Sequence, residues 1–117
     1  MNKNSTRYFS NRQEKAVAKS VGGRQTVNSG ATKFGGGDVV ADGWLIECKT
    51  TMTPKKSFSI KKDWLEKNRA EMFALHMDYN ALAFNFEPEG KNYYIIDERL
   101  FKRLKELIKN EDSNGLY

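Results

Sequence analysis

The sequence predicts an α/β domain in which helices flank a mixed central sheet, with elements in the order α-β-β-β-α-β-β-α. Three observations lead there. Asp42-Gly43 separates two short apolar runs, "DVVA" and "WLIECKT", one of the strongest two-residue hairpin signals. Three longer segments carry apolar residues at helical spacing. Two further runs, "NALAFNF" and "KNYYIID", sit between the second and third of these and read as strands joined by "EPEG".

The first helix is expected over about residues 10 to 21: Ser10 is an N-cap candidate, "NRQEKAVAKSV" carries Ala, Val and Ala among charges, and Gly22-Gly23 stops it. "RQTVN" is a short strand candidate, and "SGATKFGGG" is too rich in glycine and small polar residues to be anything but loop. The hairpin follows. "TPKKS" ends its second strand, and "SIKKDWLEKNRAEMFALHM" places Ile60, Trp64, Leu65, Met72, Phe73, Leu75 and His76 near one helical face. The last helix, "ERLFKRLKELIKN", aligns Leu100, Leu104, Leu107 and Ile108 on one stripe. The polar ends, residues 1–9 and 110–117, are expected to fray.

The 117 residues suit a single domain with one modest core. Twenty Lys and Arg against fifteen Asp and Glu give a net charge of +5, a balance that suits a polyanionic partner. The lone cysteine, Cys48, excludes an internal disulfide and a cysteine-rich zinc site. Nothing in the sequence resembles a signal peptide or a membrane span, so no membrane partner is expected.

The hairpin carries the chemistry. With Asp42 and Gly43 as the loop, Ala41 faces Trp44, Val39 faces Ile46 and Asp38 faces Glu47. Alternation along the strand puts Lys49 on the face of Glu47, and turns Val39, Ile46 and Cys48 toward the core. Opposed Cβ atoms lie about 4.5–5.5 Å apart, and like charges so placed are destabilising. A divalent cation relieves this: Mg²⁺ is held by one or two carboxylates and keeps waters that a substrate phosphate displaces. Asp38, Glu47 and the Cys48 carbonyl supply such ligands, and the Lys49 ammonium on the same face suits phosphodiester hydrolysis. Glycines just before Asp38, Gly35 and Gly36 among them, leave backbone that a sugar-phosphate strand can approach. The alternative is an ordinary solvated strand whose Glu47 pairs with a lysine.

Other residues admit two readings each. Glu14 shares helix one with the inward-facing Val17 and Ala18, and either points to the same site or into solvent. His76, with no second His or Cys at ligand spacing, is read as a core or edge histidine, and Trp44 and Trp64 as core. Lys55, Lys56, Lys61 and Lys62 form either a solvated helix start or a patch that tracks phosphates.

"GGGDVVADGWLIECKTT" resembles the core of the PD-(D/E)xK nuclease superfamily, with Asp38 as its metal-binding aspartate, Glu47-Cys48-Lys49 as its E-x-K and Gly37 in place of its proline. From about Arg12 to Leu107 the chain is similar to archaeal-type Holliday junction resolvases, which phages also carry. The resemblance implies a restriction-endonuclease-like fold and a homodimer that uses Mg²⁺, with Mn²⁺ able to substitute, to cut four-way DNA junctions. It implies Glu14 as a third acidic residue and metal ligand, Ser29 as a catalytic contact to phosphate or water, and Gln25 as a DNA contact in the same pocket. The expected compartment is the cytoplasm of a prokaryotic or phage-infected cell. Two alternatives stay open: a flap, nick or duplex endonuclease of this fold, and a non-catalytic basic nucleic-acid-binding protein.

Overall fold

A computed structural model describes residues 6–26 and 38–113. Its elements follow the expected order: α1 (Thr6–Val21), β1 (Arg24–Gln25), β2 (Asp38–Ala41), β3 (Trp44–Lys49), α2 (Lys62–Ala74), β4 (Tyr79–Phe84), β5 (Tyr93–Ile95) and α3 (Glu98–Ser113). The five strands form one sheet in the order β1-β2-β3-β4-β5. Among the described residues β3 and β4 run parallel and the other neighbours antiparallel.

The hairpin register is the one the Asp-Gly turn dictates: Asp38 opposes Glu47, Val39 opposes Ile46, Val40 opposes Leu45 and Ala41 opposes Trp44. Asp42 and Gly43 both take positive φ, 49° and 85°, as a type I′ turn requires. The turn is also tied down, because the Gly43 carbonyl accepts hydrogen bonds from the Asp78 and Tyr79 amides at 2.8 and 3.0 Å.

Strand alternation then divides the sheet. On one face Val39, Ile46, Cys48, Ala81 and Ala83 pack with Val17 and Ala18 of α1 to form the main core. Leu45, Leu82, Asp38, Glu47 and Lys49 have the opposite parity, on the face that α2 covers. There the buried Asn68 of α2 accepts a hydrogen bond from Asn80 Nδ2 at 2.8 Å, and Met72 is buried with it.

Three expectations about element ends are corrected. Helix α1 begins at Thr6, so Ser10 lies inside it and is no cap; in its first turns Thr6 meets Met52 (Oγ1 to Sδ, 3.3 Å) and the Tyr8 and Phe9 rings meet edge to face. Helix α2 ends at Ala74 because His76 adopts φ 56°, with the amides of His76 and Met77 bonded to the Phe73 and Met72 carbonyls. This is a Schellman ending with histidine in the left-handed position that glycine usually takes. His76 is therefore an exposed helix terminator, and Phe73 and Leu75 are exposed rather than core. Helix α3 runs on to Ser113 and is capped by Asp97, whose Oδ1 accepts the Leu100 amide at 2.8 Å. It contributes no buried residue: of its apolar stripe Leu100 and Leu104 are half-buried, and Phe101, Leu107 and Ile108 are exposed.

Candidate active site at the charged hairpin

Asp38 and Glu47 sit opposite each other and retain only 5% and 3% of their surface. That excludes the solvated-strand reading, because ionised carboxylates are kept out of water only where something compensates them. The compensation within the described residues is thin. Lys49 Nζ lies 3.7 Å from Glu47 Oε2, whereas Asp38 Oδ1 has no hydrogen-bond partner among those residues.

A fourth carboxylate makes the charge imbalance larger. Glu71 of α2 reaches Asp38, and its own Oε2 is buried without a partner among the described residues. Asp38 is pushed up to about 8, first by burial, then by the negative charges of Glu71 and Glu47 and a hydrogen bond with Glu71, with Glu14 adding least. Glu47 is also raised, chiefly by burial, with Lys49 opposing the shift. Glu14 is half-buried and raised by burial, while a hydrogen bond from Gln25 Nε2 (3.1 Å) and the charge of Arg7 pull it back. The sequence did not single out Glu71. The available signal was the spacing Trp64, Asn68, Glu71, which places two polar side chains on the inward stripe of α2.

Lys49 is 27% exposed, and its ammonium lies 4.5 Å from the ring centroid of Trp64, so Trp64 is a wall of the site instead of core. Trp44 is half-buried against the core cluster and stacks with Tyr79. The backbone on either side of the Cys48 carbonyl is fixed by the parallel ladder to β4 and by Gln13, whose Nε2 donates to the Lys49 carbonyl at 2.7 Å. The Cys48 side chain faces the core, and burial pushes its thiol up so far that it is inert. Gln25 donates to Glu14 and to Asn11 Oδ1 (3.0 Å), so it positions Glu14 instead of projecting toward a ligand. Lys55, Lys56, Lys61 and Lys62 are all exposed, before and at the start of α2. Ser29, Gly35 and Gly36 lie outside the described residues.

Whether this group suits a metal is decided by its donors. Among the described residues no three His, Cys, Asp or Glu side chains come together as a ready-made cage. What is present is two opposed carboxylates, one with an orphan oxygen and reached by Glu71, the other on the strand that carries the Cys48 carbonyl. Such a partial oxygen set fits Mg²⁺, which takes few protein ligands and retains water, and does not fit zinc, which favours a complete nitrogen and sulfur shell.

No family model matches the chain, and no curated protein or solved structure matches it with significance. Among the described residues no helix is long and apolar enough to cross a membrane.

Proposed function

We propose that the protein is a divalent-metal-dependent DNA endonuclease of restriction-endonuclease-like fold, acting on four-way junctions or other branched DNA as a homodimer. The observation that carries the reading is the buried Asp38–Glu47 pair with Lys49 beside it, a costly arrangement that a hard cation and a phosphate would together relieve. Asp38, Glu47 and the Cys48 carbonyl are the residues that would hold the ion, with Glu14 and Glu71 at its margin. Bound Mg²⁺ would supply a Lewis acid and an activated water at the phosphate.

The chain's own groups do the rest. Trp64 holds the Lys49 ammonium by its ring face, and Glu47 draws it toward the strand. There it offsets the negative charge that grows on the phosphoryl oxygens as the bond to the leaving oxygen lengthens. The exposed lysines 55, 56, 61 and 62 give the phosphate backbone a path to the hairpin. Two copies are required to cut two strands, and the exposed stripe Phe101, Leu107 and Ile108 on α3 supports their association.

The test is cleavage of labelled four-way junction, flap and plain duplex with Mg²⁺, with Mn²⁺ and with chelator. Metal-dependent cutting with preference for the junction is expected. Equal cutting of all three forms retains the nuclease and rejects the resolvase; binding with no cutting leaves a non-catalytic DNA-binding protein.

A further inference from the structure

Beside Lys49 lies a row of aromatic rings, of which the chemistry above uses Trp64 alone. Phe84 is the β4 partner of Lys49 in the parallel ladder. Its ring centroid lies 5.3 Å from Phe58 and 5.8 Å from Tyr93, and Phe58 continues the row to Trp64 at 6.3 Å. Cations border it along its length: Lys49 and Lys61 approach the Trp64 ring at 4.5 and 5.8 Å, and Lys91 approaches Tyr93 at 5.4 Å.

Packing alone explains part of this. Phe58 and Phe84 pin the segment after β3 to the sheet, where the Lys55 amide bonds the Phe86 carbonyl at 2.7 Å. It does not explain why Tyr93, which packs against Phe84 and Phe86, stays 43% exposed with an ammonium over its face. Aromatic faces interleaved with lysines match the chemistry of single-stranded nucleic acid, where each base offers a π-face and each linkage an anion.

The geometry points to a stacking platform, with the exposed Tyr93 as its accessible ring and Lys91 for the adjoining phosphate, that takes one unpaired nucleobase next to the cleaved phosphate. The inference rests on the nuclease reading and narrows its substrate to DNA with an unstacked base at the cut. In continuous duplex every base is already stacked on its neighbours, so occupying the platform requires unpairing; at a branch point, bulge or flap that cost is largely absent.

The experiment uses the full chain in chelator, so that binding is read without cleavage. A duplex with a single bulged 2-aminopurine is compared with the fully paired duplex, with anisotropy for affinity and 2-aminopurine emission for stacking. The wild type is expected to quench the probe and to bind the bulged form about tenfold more tightly. Tyr93→Ala, with its melting temperature checked, is expected to lose the preference, and Tyr93→Phe to keep it. Equal affinity for both forms alongside intact Mg²⁺-dependent cleavage overturns the platform alone, as does a preference that survives in folded Tyr93→Ala. Absence of DNA binding overturns the platform together with the nuclease reading.

Discussion

Asp38 carries the strongest consequence of the structure for a single residue. Its folded-state pKa, about 8, lies above the ordinary carboxylate value of 3.8. Between those limits the folded protein keeps a proton that the unfolded chain has released, so this group makes the metal-free protein less stable as pH rises from about 4 to about 8. Glu14 and Glu47 are raised too, and act in the same direction. Asp38→Asn should therefore raise the melting temperature at pH 8, by about 4 °C for each kcal/mol regained, and change it little at pH 4. Millimolar Mg²⁺ should stabilise the wild type at pH 8 and do far less for Asp38→Asn. A melting shift that is the same at both pH values would contradict a buried, mutually repelling carboxylate pair. Asp38, Glu47 and Lys49 were legible because strand parity and a two-residue turn leave one register. Glu71 was not, since its place depends on how α2 is rotated over the sheet, which the irregular apolar pattern of that helix did not define.

At the scale of elements, local chemistry set the hairpin and tertiary packing set the helix ends. Asp42 and Gly43 tolerate positive φ and impose their register. Ser10 looked like a cap, yet α1 continues back to Thr6 because that turn has something to rest on in Met52. The apolar residues Phe73 and Leu75 suggested a longer buried face on α2, but a Schellman turn at His76 ends the helix and leaves both exposed. The lysines at 55, 56, 61 and 62 occupy one segment leading into α2, and all are exposed. Binding should weaken with salt at a slope of about −0.9 per phosphate neutralised. Replacing the four with alanine should reduce that slope by up to about 3.6 units on duplex DNA, 0.9 for each of the four. An unchanged slope would remove this segment from the DNA path.

For the whole molecule, the sheet and two helices make the core, and α3 stands apart with an apolar stripe only half covered. The sequence showed that stripe but not its cover; a helix pattern reports an apolar face without saying which molecule covers it. If two copies associate through α3, sedimentation equilibrium should give a dimer, and Leu107→Glu with Ile108→Glu should give a folded monomer that melts somewhat lower, at a temperature independent of concentration. A wild-type monomer at assay concentration would contradict this surface.

The buried hairpin carboxylates and Lys49 are proposed to cut DNA. The most direct measurement is single-turnover cleavage of a four-way junction by Lys49→Ala with affinity measured in parallel, because that ammonium is proposed to act on the transition state while peripheral lysines supply binding. The expected result is a cleavage rate reduced by at least about 10²-fold with affinity for the junction almost intact. A Lys49→Ala protein that folds and cleaves at the wild-type rate would contradict it.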